Sequence, residues 1–424
     1  MRIAIIGGGA AGMVAAVLAK QTLANAEIVL FEKNLNLGAK VAISGGGRCN
    51  VTTGIQDLTR VLSKYPRGAK FLRYAMHSFS PEMVFAWFEK QGCSLKCESD
   101  MRVFPVSDNG ADVIAVFSDF FAQNKVQVCL DSQVVALEKL ESGKFEVSLK
   151  SGENFSFDKV ILTTGGQAYR HTGSSGDGYA FAEKLGHSLT DLGPSLNSFV
   201  LEEKWLGQLS GISFENCGLQ ANLRNPIKTS GKAAASSLKQ KSNGPVLISH
   251  KGLTGPAVFE MSALTAFETI SKESALELYL DFIPKCNQLH LENQVFDFVK
   301  NFPQKYIKQA FYEFLPRRLV DLLASQYHFD FDRASNSVAH KDIRKFLQLV
   351  KHFKVHVISR AAGDEFVTAG GIELSEIDPK TMQSKICPGL FFAGEILNID
   401  GYTGGFNLQS AWATGFVAGS SLDL

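Results

Sequence analysis

No stretch of this chain stays apolar for long enough to cross a bilayer; the longest runs, such as 13–19, fall well short of the ~20 residues a spanning helix needs. Charge of one sign is also missing. Lys and Arg number 43 against 42 Asp and Glu, a formal net charge of +1, so any pull toward nucleic acid or membrane must come from local patches. Cysteines are few and scattered: Cys49, Cys93, Cys97, Cys129, Cys217, Cys286 and Cys387 show no metal-ligand spacing. Cys93 and Cys97 could share a helix face, but no second pair completes a zinc site. No metal centre is therefore expected, and a reducing compartment is. A first strand beginning at Arg2 leaves no room for a signal peptide, so the expectation is a soluble, cytoplasmic protein without membrane contact. There is no internal period, and no feature specifies an oligomeric state. At 424 residues the chain exceeds one ordinary core, which predicts two or three domains.

What is present starts at Ile3. Residues 3–32 read as an apolar strand, a glycine-rich turn, a small-residue helix and a second strand ending in an acid. Gly7 permits the tight turn, Gly9 lets the backbone approach a pyrophosphate, and Gly12 brings helix and sheet together. The helix from Ala10 and Ala11 would aim free N–H groups and its positive dipole end at phosphates. Glu32 lies where a carboxylate takes ribose hydroxyls; an acid there disfavours a 2′-phosphate, so FAD or NAD fits better than NADP.

Residues 40–53, KVAISGGGRCNVTT, read as a glycine-rich loop carrying Lys40, Ser44, Gly45, Gly46, Gly47, Arg48, Cys49 and Asn50. Its backbone donors suit an anionic cofactor. Helical patterns follow at 67–78 and 81–91, the second with Ser80 as N-cap and Pro81 in its first turn. Strand-like alternation occupies 126–149, and 159–162 leads into Thr163, Thr164, Gly165 and Gly166, which a parallel sheet would bring to the dinucleotide at its carboxyl edge. A helix is expected at 178–185. Short β-like runs at 198–200, 219–223, 246–248 and 276–282 predict a small β-rich domain; 287–350 is helical, and strand character returns at 355–359. Residues 389–395 then read as a buried strand ending in Gly394 and Glu395, and Gly404 to Asn407 precede a helix at 408–418. The cofactor domain is thus discontinuous and closed by the last segment. A second GxGxxG is absent, so a nicotinamide donor, NADH or NADPH, would visit a flavin transiently.

The ordered set ISGGGRCN (43–50), RVFP (102–105), LTTGG (162–166), SHKGLTGPAV (249–258), TAGGI (368–372), KTMQSK (380–385) and GEILNIDGYTGGFNLQSAWATG (394–415) resembles the YhiN/BaiN/RdsA-like family of FAD-dependent flavoproteins, from Ile3 to about Gly419. The resemblance implies an α/β fold with a Rossmann-like FAD-binding domain of the glutathione-reductase and succinate-dehydrogenase kind (1–190 and 362–424). It also implies a β-barrel-like insert (191–284 and 350–361) and a helical insert within that (285–349). Thr53 and Asn398 depart from the expected Asn and Asp; Asn398 removes a charge near the cofactor. The resemblance further implies that the opening glycines, Glu32 and Lys33 hold the ADP half, that the backbone at Val134 meets adenine, and that Gly394 and Glu395 approach the ribityl or pyrophosphate part. Gly405, Phe406, Asn407 and Leu408 would set a helix N-terminus at the pyrimidine edge of the isoalloxazine, where a reduced flavin carries negative charge. No His or Cys is positioned for covalent attachment, so FAD is expected to bind noncovalently.

Catalytic candidates are Cys49, which an adjacent Arg48 could activate as acid or nucleophile, and which is otherwise a buried structural thiol. Arg48 itself would clamp a flavin phosphate or an anionic substrate. His250 and Lys251 would line the substrate side or sit in an exposed loop; Tyr402 and Asn407 would touch flavin or substrate. His187 and His328 have no evident constellation and read as surface or satisfied core residues. Two substrate classes fit. One is a small organic molecule, by amine oxidation or enone and steroid reduction. The other is uracil in ribosomal RNA, reduced to dihydrouridine, for which Lys300, Lys305, Lys308, Arg317, Arg318, Lys341, Arg344, Lys345, Lys351 and Lys354 with Phe302, Tyr306, Phe311, Tyr312 and Phe346 would supply a basic, aromatic face. A solvated helical surface over an aromatic core has the same sequence.

Overall fold

The computed structural model describes residues 1–224, 239–361, 363 and 366–423. The chain divides into two units, Met1–Ser195 with Glu365–Leu424, and Leu196–Asp364.

The first unit is built on a five-stranded parallel sheet in the order Leu390–Phe392, Lys159–Leu162, Arg2–Ile6, Glu27–Phe31, Gln127–Cys129. Four of the strands are almost continuously apolar because both faces are covered. The first helix, Ala10–Thr22, and the last, Phe406–Ser420, are rich in alanine and glycine and pack backbone to backbone. A Cβ on Gly415 would lie 2.4 Å from the Ala11 carbonyl oxygen, and one on Gly419 would lie 2.5 Å from that of Ala15. The chain's two ends are thereby joined beside the central strand. Three-stranded antiparallel sheets flank this core, one from Val134–Lys139, Phe145–Leu149 and Asn154–Phe157, the other from Thr52–Thr53, Leu95–Cys97 and Arg102–Pro105.

Several local expectations hold and others shift. Ser80 caps Pro81–Lys90, its hydroxyl accepting from the Met83 amide at 3.2 Å. The stretch 40–53 is not simply a loop: Ala39–Ile43 is a short helix, Ser44–Gly47 a single tight turn, and Thr52–Thr53 a strand. The last helix begins two residues earlier than expected, at Phe406, because Gly405 takes the left-handed conformation (φ 85°) that starts it.

The second unit contains a closed six-stranded antiparallel barrel, Phe199–Leu201, Gly252–Thr254, Lys239–Ile248, Ser213–Asn222, Leu276–Asp281 and Phe353–Arg360. Helix Pro256–Leu264 crosses a segment expected to be β-rich; proline at its first turn suits it. Helices Gln288–Asn301, Lys308–Phe311, Arg317–Gln326 and His340–Lys351 share one hydrophobic core with the barrel, in which Phe311, Phe346 and Phe353 are fully buried. Phe282 and Phe353, with ring centroids 5.6 Å apart, lie where the two layers meet.

Candidate cofactor cradle and active site

Within the first unit, glycines and strand ends converge at the carboxyl edge of the parallel sheet. Gly7 has φ 108°, and a Cβ there would stand 2.6 Å from the Thr163 carbonyl oxygen. A Cβ on Gly12 would fall 2.0 Å from the Gly7 carbonyl oxygen, so turn and helix fit together only without side chains. Gly9 differs: nothing lies within 4 Å of where its Cβ would be. No side chain caps the helix that starts at Ala10, so its first-turn amides face this open space.

Glu32 is fixed beside the turn. One carboxylate oxygen accepts from the Gly8 amide at 2.7 Å, and the other from the backbone and side-chain nitrogens of Asn34 at 2.9 and 2.8 Å. The Ser132 amide donates to the Glu32 carbonyl at 2.9 Å, which sets Val134 on the same edge. Lys33 is engaged elsewhere, at 2.7 Å from Asp177 and donating to Ser175.

Sequence-distant candidates meet through Glu395. It accepts from the Lys40 ammonium at 2.9 Å and from the Thr368 amide at 2.9 Å. The Thr368 hydroxyl in turn accepts from the Gln167 amide at 2.7 Å, just beyond Gly165 and Gly166. Gly394 turns at φ 81°, its amide donating to the Thr414 hydroxyl at 2.9 Å. Asn50 and Gly405 also abut, since a Cβ on Gly405 would lie 3.0 Å from the Asn50 side-chain oxygen. No side chain caps the helix at Phe406. Asn407 instead clasps its own loop through the Gly401 amide and carbonyl, both at 2.8 Å. Leu408 is half-buried, and the Tyr402 amide donates to the Lys64 carbonyl at 2.9 Å.

Two catalytic expectations change. The Arg48 guanidinium lies 2.8 Å from Glu98, 3.4 Å from Asp108 and 3.8 Å from the Phe104 ring centre, so its charge is answered by the protein's own acids. Cys49 is fully buried, and burial pushes its thiol up to about 12. That is the reverse of activation by a neighbouring cation. Alkylation with iodoacetamide near about pH 8 is expected to label exposed Cys97 and spare Cys49 in the folded protein. Peptide mass spectrometry reads the result, and equal labelling would restore the reactive-thiol reading. His250 and Lys251 occupy an exposed turn of the second unit between Lys239–Ile248 and Gly252–Thr254.

The sequence missed the buried ion pair of Arg67 with Asp400, whose carboxylate also accepts from the Ser195 hydroxyl at 2.8 Å. An acid inside the apolar, glycine-rich tail was the available signal. It also missed the constellation around His187: Nδ1 lies 3.1 Å from Glu376 and Nε2 2.7 Å from the Ser384 hydroxyl. Ser384 accepts from the Ile386 and Cys387 amides at 3.0 and 2.7 Å, so its proton goes to the imidazole and the group is a buried clasp. Burial, first, holds His187 below its ordinary 6.5, against Glu376. The unfolded chain therefore takes up the proton first as pH falls. This stability contribution is complete above 6.5 and is lost as pH drops from there toward the folded value. Melting temperature is expected to fall between about pH 7 and about pH 5, and less steeply in His187→Gln. Parallel curves would dismiss the linkage.

Three features suit this edge to FAD: the open space at Gly9, two uncapped helix starts, and the buried Thr164, Tyr179 and Asn398 side-chain oxygens that lack hydrogen-bond partners. No helix among the described residues is long and apolar enough to cross a membrane.

A comparison with known proteins agrees with this fit. The family profile described as HI0933-like protein Rossmann domain matches residues 1–421. A 3-dehydro-bile acid delta(4,6)-reductase of Clostridium scindens is 28% identical over 99% of this chain and 98% of its own length. A ribosomal RNA dihydrouridine synthase of Escherichia coli is 26% identical over 99% of this chain and 97% of its own. Among solved structures, a 3-ketosteroid-delta4-(5alpha)-dehydrogenase from Rhodococcus jostii aligns over 100% of this chain and 96% of its own, with 14% identity and a TM-score of 0.49. The chain belongs to the HI0933-like Rossmann family and is an FAD-dependent oxidoreductase.

Proposed function

We propose that the protein uses NAD(P)H to reduce a polarised C=C bond, and that this bond is C5=C6 of a uracil in ribosomal RNA. The observation that carries the reaction class is that two relatives matching 99% of the chain bear names for different substrates, yet both names describe adding hydrogen across such a bond. Held in the cofactor cradle, FAD would supply hydride-transfer chemistry between NAD(P)H and the acceptor carbon, with a proton required at the other carbon.

The chain's own residues then have defined roles. The amides following Gly9 hold the diphosphate, Glu32 the ribose hydroxyls, and the backbone near Val134 the adenine. Lys40 and Glu395 tie the helix Ala39–Ile43 to the end of strand Leu390–Phe392, while Thr164, Tyr179 and Asn398 offer buried oxygens to the cofactor. The amides from Phe406 to Leu408 stabilise negative charge at the pyrimidine edge without a basic side chain.

RNA is favoured over a small acceptor by the surface of the second unit. Lys308, Arg344, Lys351 and Lys354 are paired with Asp332, Glu292, Asp281 and Glu277, and Arg318 bonds to the Gln208 carbonyl. Lys300, Lys305, Arg317, Lys341 and Lys345 remain exposed. Quantifying dihydrouridine in ribosomal RNA from a deletion strain tests the reading. Loss of the modification, restored by the gene, is expected. An unchanged level would return the assignment to a small enone, and anaerobic titration with NADH and NADPH identifies the donor in either case.

A further inference from the structure

Residues 300–306, KNFPQKY, are all exposed and contain no acid. Most aromatic residues in this helical segment lie in the core or pack against it, with Phe311 and Phe346 fully buried. Phe302 and Tyr306 are not, at 43% and 51% exposure. One exposed ring needs no explanation. Two within five residues, flanked by Lys300 and Lys305, make a distinct patch.

The patch is also held in place. Ser335 is fully buried; its amide donates to the Lys305 carbonyl at 2.8 Å and its hydroxyl to the Phe302 carbonyl at 2.9 Å. The Asn336 amide reaches the Pro303 carbonyl at 3.2 Å, and the Ile307 amide that of Arg333 at 3.2 Å. Ile307, fully buried, anchors the far end. The rings are therefore presented on a fixed backbone, and a ligand that covers them does not have to order the loop first. Lys305 already lies 4.2 Å from the Phe302 ring centre. The nearby acids Asp330 and Asp332 are answered by Arg333 and Lys308, and exposed Asp297 lies one helical turn before Lys300, so within 300–306 itself the charges are the two lysines.

We propose that residues 300–306 form a stacking platform for an unpaired stretch of RNA, the rings of Phe302 and Tyr306 taking bases and Lys300 and Lys305 taking phosphates. Exposed rings beside lysines that no carboxylate among the described residues holds are what single-stranded nucleic acid requires. A base stacking on Phe302 takes the place of the Lys305 ammonium on that ring, which frees Lys305 for a phosphate, and stacking of this kind tolerates any base. The inference rests on the reading of ribosomal RNA as substrate, and it gives the second unit the role of an RNA-holding surface.

Fluorescence anisotropy of a labelled oligouridylate of about 12 nucleotides, titrated with the flavin-loaded protein, tests it. Removing both rings, Phe302→Ala with Tyr306→Ala, is expected to weaken binding roughly ten- to a hundredfold. Lys300→Ala with Lys305→Ala should weaken it and flatten its dependence on salt. Both pairs are exposed, so flavin content and NAD(P)H consumption without RNA should match the parent protein. Ring-deleted protein that binds within about twofold of the parent, or a parent that does not bind the oligonucleotide, overturns the platform. Failure of the substrate reading looks different. Dihydrouridine would then persist in the deletion strain whatever the binding result, whereas a failed platform leaves the loss of dihydrouridine intact.

Discussion

Gly12→Ala is expected to give protein without flavin. The added methyl would lie 2.0 Å from the Gly7 carbonyl oxygen and 2.7 Å from the Thr163 hydroxyl, and the first of these is backbone held in the central strand's turn. Helix and strand must separate, at a cost of about 3 kcal/mol or more, and the first-turn amides move with the helix. Gly9→Ala is the informative partner. Its backbone, φ −80° and ψ −170°, suits any residue, and nothing lies within 4 Å of the new methyl. Apo-protein stability should therefore be unchanged. The methyl instead occupies the space into which a diphosphate would come, and FAD affinity should fall roughly ten- to a hundredfold. Urea unfolding of apo-protein and flavin fluorescence titration separate the two effects. If Gly9→Ala binds FAD as the parent does, the cofactor does not enter along this turn.

What could be read from the sequence was what is local. Residues 3–32 carry strand, turn, helix and acid in one contiguous run, so the opening strand–helix–strand unit is legible, as is the Ser80 cap. Helix Ala39–Ile43 is five residues long, too short for a periodic pattern, and was read as loop. Pro256–Leu264 buries Ala257, Val258, Met261, Ser262 and Ala263, which gives it no polar stripe by which a helix could be recognised. Side-chain partners are not legible where they are distant in sequence. Arg48 beside Cys49 reads equally as a reactive pair or as a cation next to a buried thiol, and only the fold shows that Arg48 meets Glu98 and Asp108 while Cys49 is sealed from water. Lys40 and Glu395 were each singled out, yet only the fold shows that they are a pair.

Asp400→Ala is expected to be the most damaging single change outside the glycines. Asp400 is fully buried and receives two bonds from the Arg67 guanidinium, itself only 8% exposed, while Ser195 supplies a third. Assembling such a pair is costly in desolvation, so it adds little net stability; removing one partner is different, because it strips a buried cation of its carboxylate. That costs about 3 to 5 kcal/mol. Arg67→Met combined with Asp400→Leu removes both charges and should recover much of the loss, which a simple packing defect would not. The consequence reaches the cofactor. Asp400 stands between Asn398, whose buried oxygen lacks a partner, and Gly401, which Asn407 clasps, so the loop leading to the last helix is pinned through this carboxylate. Asp400→Ala should thus lose flavin at denaturant concentrations where the rest of the unit is still folded, and the double variant should retain it. A stability within about 0.5 kcal/mol of the parent would show that the pair is not what holds the loop.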